Sequence, residues 1–165
     1  MSKILYYGGQ KSGKSLLAEQ KIIELAGLKK PFYIATYDNT HGDTQMQERI
    51  AKHQSQRIGS FFTIEETFDL LGVIEEEEYY LIDCISMWIL NSMDMSLEEL
   101  LVYLNVLSRR DATIVFVLND VNSGVIPMDN ISREYVDRTG AIGQKLVSFC
   151  DEVYEVKLGL GIQIK

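Results

Sequence analysis

Eight residues near the start of the chain limit its possible folds more than any others. Gly8-Gly9-Gln10-Lys11-Ser12-Gly13-Lys14-Ser15 reads G-x-x-x-x-G-K-S, directly after the apolar run Ile4-Leu5-Tyr6-Tyr7 and directly before the helix-forming run Leu16-Leu17-Ala18-Glu19. This order is what a phosphate-binding loop needs. A strand delivers the chain, glycines let backbone amides curl around phosphate oxygens, and the N-terminus of the following helix adds its positive dipole end. Lys14 is placed to reach the β- and γ-phosphates, and the Ser15 hydroxyl to hold Mg²⁺. A plain Gly/Ser-rich turn would need neither the strand before nor the helix after.

The rest of the chain repeats a strand–helix alternation. Strand-like runs recur at Ile4–Tyr7, Phe32–Thr36, Phe61–Glu65, Tyr79–Asp83, Thr113–Asn119 and Val153–Lys157, most of them separated by segments with helical spacing. Such alternation predicts a mostly parallel central sheet covered by helices on both faces, a three-layer P-loop NTPase fold of the RecA-like kind. The first helix is expected over Lys14–Ala26, stopping at Gly27, a suitable residue just past a helix end. Ser96 with Glu99 makes a capping box, and Leu97, Leu100, Leu101, Leu104 and Leu107 then form an apolar stripe for core packing. The tail from Val153 to Lys165 carries two short β-like runs joined around Leu158-Gly159, which predicts a closing antiparallel strand or hairpin. With 165 residues, 46% of them hydrophobic, the chain is expected to form a single domain over residues 1–165 with one continuous core.

Charge narrows the partners. A formal net charge of −8 argues against a nucleic-acid surface or a basic membrane patch, since both need clustered positive charge. Any polyanion site must be local. Cys84 and Cys150 sit at no metal-ligand spacing and make no disulfide framework, so reduced thiols are expected. The chain enters a strand within three residues, and no apolar run approaches ~18 residues, the length that spans a bilayer. A cytoplasmic protein without a membrane span is the expectation.

Several residues could carry chemistry. Asp83 ends the apolar strand Tyr80-Leu81-Ile82, where a phosphate-loop fold places the acid that supports Mg²⁺. Thr44 to Arg57 reads as a helix, with Arg49, His53 and Arg57 spaced by four on one face, so an acidic protein turns locally basic around a histidine. A neutral imidazole there can serve as base or nucleophile, and attack on phosphorus would give a phosphoramidate. Equally, the same residue reads as a surface or half-buried histidine without a task. His41 falls in the polar run Asp38-Asn39-Thr40-His41-Gly42-Asp43 and reads as a solvated turn residue. The four acids Glu75 to Glu78 read as a solvated helix-to-strand connection. Asn119 to Pro127 follows the fifth strand, at the sheet end where ligands bind in open α/β folds. Met87 and Trp88, just beyond Asp83, read as packing residues.

At these positions the chain resembles the bifunctional adenosylcobinamide kinase / adenosylcobinamide-phosphate guanylyltransferase family of cobalamin biosynthesis. The resemblance runs from Ile4 to Leu158. It is carried by the loop Gly8 to Ser15, the strand Tyr33-Ile34-Ala35-Thr36, the helix Met46 to His53 with Arg57 after it, Thr63-Ile64-Glu65, and Asp83-Cys84 followed by Trp88 and Asn91. It implies that His53 becomes covalently guanylylated. It also implies that GTP is contacted by Gly8 to Ser15, by Ala35 and Thr36, by the turn after His53 formed by Gln54, Ser55, Gln56 and Arg57, and by Glu65 and Asp83. The implied enzyme phosphorylates adenosylcobinamide with ATP or GTP, transfers GMP from GTP to the product, uses Mg²⁺, and assembles as a homotrimer. The alternatives are a P-loop kinase for another small molecule or a non-catalytic nucleotide-binding regulator. Two stretches depart from the family pattern: Asp120 and Asn122 stand for a glutamate and a glycine, and Val136 and Gly143 for an arginine and an asparagine.

Overall fold

The structure, a computed structural model, describes residues 1–38, 44–57 and 59–165, and within 44–57 the side chains of Thr44, Gln45, Gln47, Glu48, Ala51, Lys52 and Ser55. His41 therefore lies outside the described residues, as do the side chains of His53, Gln54, Gln56 and Arg57.

In chain order the elements are β1 (Lys3–Gly8), α1 (Lys14–Ala26), β2 (Phe32–Ala35), α2 (Thr44–Arg57), β3 (Phe62–Glu65), α3 (Leu70–Val73), β4 (Tyr79–Asp83), α4 (Ile85–Asn91), α5 (Leu97–Ser108), β5 (Thr113–Asn119), α6 (Asn130–Phe149), β6 (Glu152–Lys157) and β7 (Leu160–Gln163). They build a seven-stranded sheet of order β3-β2-β4-β5-β1-β6-β7. Every pairing is parallel except β6 with β7, which is antiparallel. The predicted mostly parallel sheet with a C-terminal hairpin is thus what forms. The hairpin turns at Leu158 and Gly159, with φ of 51° and 80°.

The central strands are apolar on both faces because helices cover both. On one face Ile4, Tyr6, Leu81, Val115 and Val117 pack with Ala18 and Ile22 of α1. On the other, Leu5, Ile82, Ile114, Phe116 and Leu118 pack with Trp88 of α4, Leu100, Leu104 and Leu107 of α5, and Ile142 and Leu146 of α6. Alternation at period two sends neighbouring residues of one strand to opposite cores.

Local signals explain the helix boundaries. α1 spans the predicted residues, and the Gly27 N–H closes its end on the Ile23 carbonyl at 3.2 Å. The Ser96–Glu99 capping box is present at the start of α5. α6 begins where the Asp129 carboxylate accepts the Ser132 N–H at 2.8 Å. Of the acidic run, Glu75, Glu76 and Glu77 are exposed in the connection between α3 and β4, as read.

A tie between α1 and β6 carries a pH signature. Glu152 accepts from the Tyr154 hydroxyl at 2.6 Å and from Lys21 Nζ at 2.9 Å. These two partners hold its carboxyl below the ordinary value of 4.5. The unfolded chain then binds the proton more tightly, so this contribution is complete above the ordinary value and is lost as pH falls through the folded one. Glu152→Gln is expected to lower stability at neutral pH by about 1 kcal/mol and to flatten the acid limb of stability against pH. Denaturant titrations across that range check it, and an acid limb as steep as in the wild type would contradict it.

Candidate active site

The loop between β1 and α1 is fixed from several sides. Its Ser12 N–H donates to the Gly9 carbonyl at 3.2 Å, and Gly13, with φ of 95°, supplies the left-handed residue that starts α1. Gly8 is needed for a different reason. A Cβ there would lie 2.5 Å from the Val156 carbonyl oxygen of β6 and 2.8 Å from Ser12 Oγ. Gly8→Ala is therefore expected to cost about 1–3 kcal/mol as the loop and β6 are pushed apart. The test is the denaturant midpoint at unchanged slope; an unmoved midpoint would show that the loop gives way freely.

The β6–β7 turn also reaches the loop, because the Gly159 N–H donates to the Ser12 carbonyl at 2.7 Å. The tail pattern showed a turn at 158–159 but carried no signal of this contact. Ser12 Oγ is buried without a hydrogen-bond partner. A buried hydroxyl left so is the sort of group that a bound ligand satisfies.

Lys14 is buried and donates to the Gly9 carbonyl of its own loop at 3.0 Å. Burial lowers its pKa, against the opposing charge of Asp83. Asp83 stands at the end of β4, as read from the sequence, and accepts from Ser15 Oγ at 3.4 Å and from the Tyr33 hydroxyl at 2.9 Å. Ser15, Asp83 and Lys14 thus meet, although the first and last members come from the loop and Asp83 from two strands away. Tyr33 was not singled out as a site residue. Its only sequence signal is its place in the Tyr-Ile-Ala-Thr strand.

Parallel register brings in the others. Ala35 on β2 pairs with Glu65 of β3 on one side and with Asp83 of β4 on the other. Glu65, Ala35 and Asp83 therefore form a row at the C-terminal edge of the sheet, the edge where open α/β sheets bind ligands. Thr36 is fully buried, and its hydroxyl donates to the Cys84 carbonyl at 2.7 Å and accepts the Cys84 N–H at 2.9 Å. Asn91 Nδ2 then donates to the Thr36 carbonyl at 2.7 Å and to that of Thr67 at 3.0 Å. The Thr36, Cys84 and Asn91 positions of the sequence motif are thus one lock that holds β2 and β4 in line beside Asp83. Burial pushes the Cys84 thiol up to about 11, so it stays protonated at neutral pH. Gln10 and Lys11 are exposed on the loop, and Ser55 Oγ is occupied with the Lys52 carbonyl at 2.8 Å.

Across the phosphate loop lies the segment after β5. Asp120 donates its N–H to the Gly8 carbonyl at 2.8 Å. Its carboxylate accepts the N–H of Asn122 at 3.0 Å and of Ser123 at 3.1 Å. Burial alone would raise the Asp120 pKa, but these bonds and one from the Tyr7 hydroxyl bring it below the ordinary value. Asn122, in place of a glycine, is not among the residues of positive φ, and its side-chain amide donates to the Val136 carbonyl at 2.8 Å. That bond uses the backbone of residue 136, so it is indifferent to the valine there.

Comparison with known proteins gives the family and the fold. The family model described as cobinamide kinase / cobinamide phosphate guanyltransferase matches residues 4–164. The chain is 35% identical over 173 residues to the bifunctional adenosylcobalamin biosynthesis protein CobP of Pseudomonas aeruginosa, covering 98% of this chain and 96% of that protein. It is 28% identical over 184 residues to the bifunctional adenosylcobalamin biosynthesis protein CobU of Salmonella typhimurium, covering 98% of this chain and 99% of that protein. Among solved structures it is similar to the flagellar accessory protein FlaH of Methanocaldococcus jannaschii, with a TM-score of 0.50 and 14% identity over 93% of this chain and 70% of that one. This last likeness is one of fold alone.

Proposed function

The chain belongs to the cobinamide kinase / cobinamide phosphate guanyltransferase family, and from that membership we propose that it carries out both reactions on adenosylcobinamide. In the first, the hydroxyl of the aminopropanol arm attacks the γ-phosphorus of ATP or GTP, and the nucleoside diphosphate leaves. In the second, the His53 imidazole attacks the α-phosphorus of GTP and pyrophosphate leaves. An oxygen of the cobinamide phosphate then attacks that phosphorus, the P–N bond breaks, and adenosylcobinamide-GDP is released. Dividing one transfer into two displacements is ordinary covalent catalysis.

The observation that carries the reading is the meeting of Lys14, Ser15 and Asp83 at the edge of the sheet. The loop amides from Gly8 to Ser15, with Gly9, Gln10, Lys11, Ser12 and Gly13 between, curl around the phosphates, and Lys14 stabilises the charge that gathers on the transferred group. Ser15 and Asp83 place a hydroxyl and a carboxylate oxygen 3.4 Å apart, a donor set that suits a hard cation. They would hold Mg²⁺, which when bound neutralises phosphate charge and favours departure of pyrophosphate. Tyr33 keeps the Asp83 carboxylate turned toward Ser15. Ala35, Thr36 and Glu65 on their row, with Gln54, Ser55, Gln56 and Arg57 after His53, complete the nucleotide contacts in this reading.

The reading extends to a cytoplasmic homotrimer; sedimentation of the purified protein tests the assembly. Among the described residues no helix is long and apolar enough to cross a membrane. The deciding experiment incubates the protein with GTP and either adenosylcobinamide or its phosphate, and measures the masses of product and protein. Formation of adenosylcobinamide-GDP supports the reading. Nucleotide binding without turnover would overturn it.

A further inference from the structure

β1 and β5 are neighbours in the sheet, yet the helices that follow them, α1 and α6, cover opposite faces. In an open α/β sheet the loops at such a reversal flank a binding crevice. One of the two is the phosphate loop. The other spans residues 120–129 and is tied to the first through Asp120 N–H and the Gly8 carbonyl at 2.8 Å.

This second loop has the wrong chemistry for a nucleotide. In a chain of net charge −8, residues 121–128 read Val-Asn-Ser-Gly-Val-Ile-Pro-Met and carry no ionisable group. Val125 and Met128 are each 96% exposed, and Ile126 is 74% exposed. The base of the loop is nevertheless held firmly by the bonds of Asp120 and Asn122 described above. Beside Asn122 a cavity of about 380 Å³ opens between α6 and β1, lined by Leu5, Tyr7, Leu118, Gly140 and Gly143. Two glycines let α6 approach this closely: a Cβ at Gly140 would come within 3.1 Å of Asn122 Nδ2, and one at Gly143 within 3.3 Å of Leu118 Cδ2.

An exposed apolar loop on a built base, tied to the phosphate loop at Gly8, matches the other substrate of the reaction. A corrinoid offers a broad, flat, hydrocarbon-rich ring edged with amide arms. We propose that residues 120–129 and the mouth of the adjoining cavity form the acceptor site, with the ring resting on Val125, Ile126 and Met128, the hydrocarbon stem of one arm entering the apolar cavity and its amide staying at the mouth beside Asn122. The cavity is too small for the ring system itself and has the size for a single arm. This inference rests on the function proposed above. Burial of the loop's apolar side chains by the ring supplies affinity, and the Asn122 and Gln144 side chains beside the cavity give the arm polar neighbours.

The test is the double variant V125E/M128E, whose replaced side chains are on the surface and leave the core unaltered. Two measurements are made on wild type and variant: equilibrium dialysis of adenosylcobinamide, followed by its visible absorbance, and labelling of the protein by GTP carrying a labelled α-phosphate, which requires no acceptor. The expected result is corrinoid binding weakened at least about tenfold by two charges set against an apolar ring, with labelling kept and sedimentation unchanged. Equal corrinoid affinity in the two proteins overturns the acceptor site. So does a loss of affinity that accompanies dissociation of an oligomer, which would show that a second copy of the chain covers the loop. Failure of the function itself is distinct, because the wild-type protein would then take up no label at all.

Discussion

Incubated with GTP labelled in its α-phosphate, the wild-type protein is expected to become covalently labelled, and the His53→Asn variant is not. Asparagine keeps a polar side chain of similar reach to the near ring nitrogen but has no nucleophilic lone pair of imidazole type. The bond to phosphorus cannot form, and the two-step transfer has no first step. Transfer of GMP should fall by about a thousandfold or more, a loss typical of a removed nucleophile. Chemistry identifies the bond: a phosphoramidate is lost in acid and survives alkali, whereas an acyl phosphate or a phosphoester to serine behaves otherwise. In the proposed kinase step the imidazole has no part, so phosphorylation of adenosylcobinamide should persist in the variant. Labelling of the variant to the wild-type level would remove His53 from the mechanism.

Lys14→Met has the second largest expected effect, and its value lies in separating the site from the fold. The ammonium is buried, and burial lowers its pKa, so at neutral pH its charge opposes folding rather than supporting it. Methionine fills similar space without the charge. Without nucleotide, the thermal midpoint of the variant should be equal to or above that of the wild type. With nucleotide, the rise in midpoint that ligand binding produces should largely vanish. Turnover should fall by about a hundredfold to a thousandfold, because a fixed cation no longer faces the charge developing on the transferred phosphoryl group. A variant that loses stability and activity together would show instead that Lys14 is structural.

How far the sequence could reach depends on the range of the forces involved. The phosphate loop, α1 with its Gly27 stop, the Ser96–Glu99 box and the turn at Leu158-Gly159 are all decided by residues within one or two turns of each other, and all four stand where the pattern puts them. Asp83 was legible because a strand end is local. That Glu65 and Ala35 lie in a row with it was not, since the row follows from parallel register between strands far apart in the chain. The family resemblance grouped Thr36 with the nucleotide contacts, but only coordinates reveal that its hydroxyl is spent on the Cys84 backbone. Asn122 teaches the reverse lesson. Exchange of a glycine matters where the backbone needs a positive φ, and Asn122 adopts none and instead braces the loop against α6. α6 starts where the Asp129 carboxylate accepts the Ser132 N–H, a local device of the same kind as the Ser96–Glu99 box.

The hydrogen bond from Gly159 to Ser12 has a practical side. It makes β6 and β7 part of the scaffolding of a motif encoded far upstream of them. Anyone who trims the tail to improve expression, or grafts a fusion partner into the turn at Leu158, edits the phosphate loop without touching a codon of it.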